Sequence, residues 1–324
     1  MPCLNSIQLQ TFQDFEVIIV DDKSTDKTVQ IIREKYGNDR RIKLYRNFKN
    51  VGYGGGNINR GMSLISPDSK YVYMVGGDDA MVENNIKILY EGAEKSQADI
   101  VMMNSHYFTE DQNFTVPGTL PITRSAVLPP RILSDNILDR MQYDFIGLQY
   151  PAVDWAKLYR RDFLENSKIY FPRVLGIEDF LFNFAQLCLA KKIEVIEGCG
   201  YIYRQNPDSV MHVSPKRHAQ KTIDCLSDAV AFMEEIFSLQ TIGELSRENQ
   251  LICEAHAISY ILQERIIRYG TTIEELNGIL LDMTKKSSVI DPELTRVLIQ
   301  ALSYVLSFHL YRKADRKDLF QLVR

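Results

Sequence analysis

No stretch of the chain approaches the roughly 20 consecutive apolar residues that a membrane-spanning helix needs. No basic-then-apolar leader opens it either. Cysteine is sparse and unpatterned: Cys3, Cys188, Cys199, Cys225 and Cys253 are scattered and odd in number. That spacing excludes a zinc motif or a disulfide framework and makes a reducing cytoplasm the expected compartment. Positive charge is not in excess. Thirty-eight Lys and Arg against 42 Asp and Glu leave a formal net charge of -4, so no basic field points to nucleic acid. There is one tryptophan, Trp155, and no internal repeat or low-complexity tract. The glycine cluster Gly52, Gly54, Gly55, Gly56 has neither the spacing of a dinucleotide fingerprint nor that of a P-loop.

What is present suits a globular chain able to bury a core without staples. The 324 residues are 45% hydrophobic and 25% charged, enough for one large domain with an appendage or for two domains. The first two thirds alternate strand and helix signals. Glu16 to Val20 reads as a buried strand ending at Asp21 and Asp22, and Ser24, Thr25 and Asp26 offer caps for a helix. That helix carries Val29, Ile32 and Tyr36 on one side and stops at Gly37. Ile42 to Tyr45 is a second strand. Tyr71 to Val75 is a third, running into Gly76, Gly77, Asp78 and Asp79. Ile86, Leu89, Tyr90 and Ala93 mark another amphipathic helix, followed by a strand from Asp99 to Asn104. From Phe108 to Pro130 the pattern weakens into a long loop or irregular hairpin. Glu178 opens an apolar helix with Leu181, Phe184, Ala185 and Cys188, and a strand pair follows at Ile193–Glu197 and Tyr201–Arg204. After Asn206 strand signals stop. Ile252, Ala255, Ile258, Ser259 and Leu262 typify the inward faces of the helices that remain. The expected division is an α/β domain over residues 1–205 and a helical region over 206–324.

In an open α/β sheet, ligands bind beyond the carboxyl ends of the strands. Two acidic pairs are expected there, Asp21–Asp22 and Asp78–Asp79. Carboxylates supply hard oxygen ligands for Mg²⁺ or Mn²⁺, and such an ion can sit between them and a diphosphate. Each pair alone is equally well explained as turn and cap residues; together they favour a metal–nucleotide site. A third pair, Glu178–Asp179, opens a helix. It reads either as capping or as the general base that a transferase needs to deprotonate an acceptor hydroxyl.

The run from Gln10 to Asp22, continuing through Ser24-Thr25-Asp26 and Thr28, resembles the opening signature of family 2 glycosyltransferases. Asn50-Val51-Gly52, Asn59-Arg60-Gly61, Gly77-Asp78-Asp79, Trp155-Ala156-Lys157-Leu158-Tyr159 and Gly176-Ile177-Glu178-Asp179 follow in that family's order, over roughly residues 3 to 210. The resemblance implies a GT-A fold, Rossmann-like and mainly parallel with flanking helices, here with a C-terminal all-helical extension. It implies a nucleotide-sugar donor, most simply a UDP-sugar, and a glycan or lipid-linked glycan acceptor. Asp22 matches the position that hydrogen-bonds the base, and Asp21, Asn59 and Gly61 fall in the same nucleotide-sugar-binding motifs. Asp78 matches the residue near ribose and diphosphate, Asp79 the ligand of Mn²⁺ or Mg²⁺, and Asp179 the catalytic base beside Glu178. One displacement then inverts the anomeric carbon. The family places an apolar strand ahead of the helix that holds Cys3, Leu4, Ser6 and Ile7. The chain starts inside that helix, so neighbouring strands are expected to carry unpaired backbone groups. The Gln-x-x-Arg-Trp motif of processive synthases is absent, which implies single additions.

Trp155 is a candidate to stack on an acceptor sugar, with core packing an equal alternative. Lys157 is a candidate phosphate or acceptor contact, with a surface lysine the safer reading. His212 is a candidate to complete the metal site. Arg312, Lys313, Arg316 and Lys317 are candidates to touch an anionic membrane face, but Asp315 and Asp318 dilute that charge and a solvated helix face is the safer reading. Two rivals remain. A phospho-receiver domain shares a strand ending in two aspartates, but the second acidic site here is a pair and the alternating region is too long. A GT-A-like module that binds nucleotide-sugar without turnover is the alternative function.

Overall fold

The computed structural model describes residues 2–109, 123–126, 129–141, 153–174, 176–205, 225–239 and 245–262, with single positions 292, 296, 297, 299–301 and 303 beyond them. The chain divides into two compact units. The first takes Met1–Asp135, Ala152–Arg173 and Leu181–Asp208; the second takes Asn136–Pro151, Val174–Phe180 and Ser209–Arg324. Among the described residues no helix is long and apolar enough to cross a membrane, and no disulfide joins the cysteines.

The first unit opens with α1 (Pro2–Gln8), whose Cys3, Leu4, Ser6 and Ile7 are buried. Strand β1 (Val17–Asp21) leads to α2 (Thr28–Tyr36), which buries Val29, Ile32 and Tyr36, as the helical period requires. Its N-cap is Lys27, with no side-chain cap. The nearby carboxylate of Asp26 instead accepts the Thr28 N–H at 2.9 Å. Strand β2 (Ile42–Arg46) pairs with β1 in parallel. Helix α3 (Gly54–Met62) starts inside the glycine cluster, so Gly54, Gly55 and Gly56 form a helical turn. Then come β3 (Tyr71–Tyr73), β4 (Ala80–Met81), α4 (Asn85–Ser96) and β5 (Ile100–Thr109). Strand β6 (Thr123–Ala126), inside the stretch expected as a long loop or irregular hairpin, pairs antiparallel with β5. β7 (Arg131–Ile132) closes this part.

After helix α5 (Ile137–Asp139) of the second unit, the first unit resumes with β8 (Lys157–Arg160) and α6 (Arg161–Ser167). Helix α7 (Glu178–Leu189) is apolar on nearly every side, with Leu181, Phe182, Phe184, Ala185 and Leu187 fully buried. Strand β9 (Ile193–Arg204) replaces the strand pair read from the sequence. Gly198 and Gly200 lie inside this one strand. Within the strand, Gly200 makes room for Asn85, whose side chain a Cβ would overlap.

The sheet is mixed, which corrects the mainly parallel expectation. β1–β2 and β5–β9 are parallel; β3–β8, β5–β8, β5–β6, β4–β9 and β7–β9 are antiparallel. Apolar alternation marks a strand without marking its direction. The order β3-β8-β5-β9-β4 forms one sheet and β1-β2 a separate pair. Among the described residues β1 pairs only with β2, and β3 only with β8, leaving one edge of each without a partner strand. Val17 to Val20 are accordingly half-buried and not the fully buried strand expected. Within the first unit, apolar packing joins the β1-β2 pair to the larger sheet: Cys3, Leu4, Ile7, Ile32, Tyr36, Met81 and Tyr201 form one cluster, against which Val17, Ile19, Tyr73 and Trp155 pack.

In the second unit, helix α8 (Leu226–Ser238) buries Ala229, Met233 and Ile236. In α9 (Arg247–Leu262), Ala255, Ile258 and Ser259 are buried and Ile252 is half-buried. Ser259 donates to the Ala301 carbonyl at 2.9 Å.

Candidate functional site

The end of β1 carries the first acidic pair, and its two members are used differently. Asp21 is buried. Its carboxylate accepts the Ser24 N–H at 3.2 Å and lies 3.1 Å from Arg46 Nε, so it holds the turn that contains Lys23 at φ 65°. Asp22 Oδ1 accepts from Asn47 Nδ2 at 2.7 Å and from the Val51 N–H at 2.8 Å. Burial alone would raise its carboxyl. Hydrogen bonds from Asn47, Val51, Asn57 and Gly52 outweigh that and hold it below the usual carboxylate range. Asn47 is the hub of this corner. Its backbone N–H donates to the Asp21 carbonyl at 2.8 Å, its amide also donates to Asn57, and its oxygen accepts from Arg60. Sequence reasoning passed over Asn47. The signal was an asparagine directly after β2, level with the end of β1.

Asn59 is expected at the nucleotide, but its amide makes a two-way bond with the Phe171 backbone, donating at 2.8 Å and accepting at 2.9 Å. It therefore fastens α3 to the segment after α6. Gly61 faces Val20, where a Cβ would meet a methyl at an ordinary 3.7 Å.

The second acidic pair follows β3 in a tight turn, closed by the Asp79 N–H donating to the Gly76 carbonyl at 3.1 Å. Asp79 is 3% exposed. Its Oδ2 accepts from the Tyr201 hydroxyl and its Oδ1 from the Arg204 N–H at 2.9 Å. Burial pushes its carboxyl up to about 6 against those two bonds, helped by the negative charges of Asp78 and Asp154. Asp78 faces the other way, with half of its side chain exposed and Oδ2 3.5 Å from the Arg204 guanidinium. Beside the turn, Cys3 donates weakly to the Gly76 carbonyl, and burial pushes its thiol up to about 12.

Among the described residues no group of three His, Cys, Asp or Glu could hold a metal ion by itself. A cation shared with a diphosphate needs fewer, because one or two carboxylates plus phosphate oxygens suffice for Mg²⁺. Asp79 is 3% exposed, and each of its oxygens accepts one bond from β9, which leaves each a lone pair. Asp78, with half of its side chain exposed, is the more open of the two. His212 and the basic tail residues Arg312, Lys313, Arg316 and Lys317 lie outside the described residues.

Trp155 lies over Tyr201 with ring centroids 4.5 Å apart and planes 10° from parallel, over Tyr203 at 5.3 Å, and edge-on to His106. Burial lowers the His106 imidazole to about 4, so it is neutral at pH 7. Lys157 is fully buried and not at the surface. Its ammonium donates to the Val153 carbonyl at 2.7 Å and to Asn183. In the second unit, Glu178 accepts the Gly176 N–H at 2.6 Å, just ahead of the start of α7, and Asp179 is half-buried in the same turn.

Comparison with known proteins agrees with this architecture. The chain is 27% identical over 224 residues to the uncharacterized glycosyltransferase EpsJ of Bacillus subtilis, covering 68% of this chain and 62% of that one. It is 26% identical over 232 residues to the glycosyltransferase GlyA of Streptococcus pneumoniae, covering 71% and 32%. The chain thus spans 62% of the length of the first of these curated relatives and 32% of the second. Among solved structures, S. aureus TarS matches with a TM-score of 0.63 at 19% identity, over 94% of this chain and 51% of that one. TarS 1-349 in complex with UDP-GlcNAc matches at 0.55 and 21% identity, over 94% and 87%. These likenesses show the GT-A fold. Residues 2–167, just over half of the chain, match the profile of Glycosyl transferase family 2, and the chain belongs to that family.

Proposed function

We propose that the chain is a metal-dependent inverting glycosyltransferase that moves a sugar from a UDP-sugar to a glycan or glycolipid acceptor. The observation that carries this reading is the pair of strand-end carboxylates left available in the first unit. Asp22 is held ionised with Oδ1 committed to Asn47 and Val51. Asp78 is half-exposed in front of a buried Asp79. An ionised carboxylate accepts the N3–H of uracil, and that is the role assigned to Asp22. Asp78 faces the ribose and diphosphate, and with the diphosphate oxygens it would hold Mn²⁺ or Mg²⁺. Such an ion, when bound, offsets the charge that grows on the leaving diphosphate.

Asp179 removes the acceptor hydroxyl's proton as that oxygen attacks the anomeric carbon opposite the leaving group, which inverts it. Glu178 caps and orients the same helical turn. Residues 1–205 form the nucleotide-sugar-binding catalytic domain and 206–324 the helical region in this reading. A uridine donor also agrees with the UDP-GlcNAc crystallised with TarS, a likeness of fold alone.

The test is calorimetry of UDP with and without Mn²⁺. The wild-type chain should bind UDP more tightly with the ion, and Asp78→Ala should abolish that gain. Equal binding with and without Mn²⁺ in both proteins would reject the reading. Among the described residues one edge of β1 and one of β3 have no partner strand, which favours a second reading, a module that binds nucleotide-sugar without turnover. Metal-dependent donor binding with neither transfer nor hydrolysis, across a panel of UDP-sugars and acceptors, would select it.

A further inference from the structure

The turn from Gly76 to Asp79 is short, yet most of its fixing bonds come from a strand more than 120 residues away. The Tyr201 hydroxyl accepts the Gly76 N–H at 3.0 Å and donates to Asp79 Oδ2, so one oxygen ties the first residue of the turn to the last. Three residues on, Arg204 adds its backbone N–H to Asp79 Oδ1 at 2.9 Å and its Nε to the Asp78 carbonyl at 2.9 Å. The exit of the turn is held to the same strand, because β4 pairs with β9 in the register Ala80↔Ile202 and Met81↔Tyr201. Space is tight as well: a Cβ at Gly76 would lie 2.5 Å from Asp79 Oδ2. Tyr201 is 1% exposed, and its ring is fixed in turn by the stack on Trp155 at 4.5 Å.

We infer that Tyr201 is a positioning residue of the donor site, whose hydroxyl turns Asp79 inward and thereby sets the direction in which Asp78 meets a nucleotide diphosphate and its cation. The inference rests on the donor-site reading above. A carboxylate is acceptor-only, so two donors at its two oxygens hold Asp79 in one orientation. Partners of this kind fix a ligand-bearing segment without touching the ligand, and their removal typically weakens metal binding about 10- to 100-fold. Without the hydroxyl, Asp79 loses one of its two donors in a buried setting, where an unpaired carboxylate is costly. Its relief is to rotate toward water, which brings a second negative charge toward Asp78 and lets the turn move.

Tyr201→Phe tests this directly, since it keeps the ring and the Trp155 stack and removes one oxygen. Two quantities are read on the full chain. The first is exchange of the Gly76 amide with solvent, followed by NMR without ligand; it should speed up in the variant. The second is the ratio of UDP affinity in Mn²⁺ to that in EDTA. It should fall about tenfold in Tyr201→Phe, while affinity in EDTA stays within about twofold. A merely structural role would lower the melting temperature and both affinities together and leave the ratio unchanged, which would overturn the inference. So would an unchanged Gly76 exchange rate. Asp79→Asn is the second variant. It puts an amide donor where the acceptor oxygen was and should lower the ratio in the same direction. A wild-type chain with no Mn²⁺-dependent gain would overturn the donor-site reading and this inference with it. A wild-type gain retained in both variants would overturn this inference alone.

Discussion

Asp78 and Asp79 stand side by side, yet Asp79 is 3% exposed with both carboxylate oxygens accepting bonds from β9, while Asp78 has half of its side chain in solvent. That the pair stands at a strand end was legible in the sequence, from its place at the end of an apolar run. Which member faces outward was not, because the donors that decide it, Tyr201 and the Arg204 N–H, are more than 120 residues away. Asn47 was missed because its role is set by other elements. Its four partners come from β1, α3 and the Asp22 corner, and its own position says only that a strand has ended. Asp22 was placed from its motif, and the bonds that keep it ionised sharpen a test of base recognition. Cytosine has no N3 proton, so an ionised carboxylate favours uracil over it. A hydrogen bond to a charged group is worth about 1.5–3 kcal/mol, or roughly tenfold to a hundredfold in affinity. Asp22→Ala should therefore lower the UDP-to-CDP affinity ratio by that factor. The variant also frees Asn47 and the Val51 N–H and will weaken both nucleotides, so the ratio is the quantity to measure. An unchanged ratio in titrations of the two proteins rules Asp22 out as the base-reading group.

Helices with a clear apolar period were readable as elements. Val29, Ile32 and Tyr36 of α2, and Leu89 and Ala93 of α4, are buried as their spacing requires. Strand β9 was misread as two strands, with Gly198 and Gly200 in the gap between them, and only the nearby Met103 and Asn85 side chains show why glycine stands inside a strand. The segment between α1 and β1 was read as part of a family signature, with no structural job assigned. Gln10, 1% exposed, supplies one: its amide donates to the Ser6 carbonyl at 3.0 Å and the Val82 carbonyl at 2.8 Å, and its oxygen accepts the Ile86 N–H at 3.0 Å. One side chain thus joins the end of α1 to the start of α4. Gln10→Ala would remove all three bonds, leaving the Val82 carbonyl only the Asn85 N–H, at about 1–3 kcal/mol, and the midpoint of urea unfolding should fall accordingly. Gln30→Ala, on the exposed face of α2, should stay within about 0.5 kcal/mol. If Gln10→Ala unfolds with the wild-type midpoint and slope, the clamp has no energetic role.

For the molecule as a whole, the class of fold and the order of the motifs were legible because both depend on local pattern: alternation of strand and helix, and acids at strand ends. Strand direction was not. β8 enters between β3 and β5 antiparallel to both, and no periodicity distinguishes that from a parallel entry. The proposed roles also divide by unit. The carboxylates assigned to donor binding, Asp22 and Asp78, belong to the first unit, and Asp179 belongs to the segment Val174–Phe180 of the second. If binding and proton removal are carried by different parts of the chain, they should separate by mutation. General-base assistance is typically worth about 10²–10⁴-fold in rate. Asp179→Asn keeps the size of the side chain and removes its basicity, so kcat should drop by about that factor while the calorimetric affinity for UDP with Mn²⁺ stays at the wild-type value. Glu178→Gln should be milder, because an amide oxygen can still accept the Gly176 N–H that Glu178 accepts at 2.6 Å. Both variants are to be compared with wild type on a donor and acceptor that the panel has shown to react. Near-normal turnover in Asp179→Asn, or a larger loss in Glu178→Gln, would move the base to another residue. A product that keeps the donor's anomeric configuration would reject single displacement altogether.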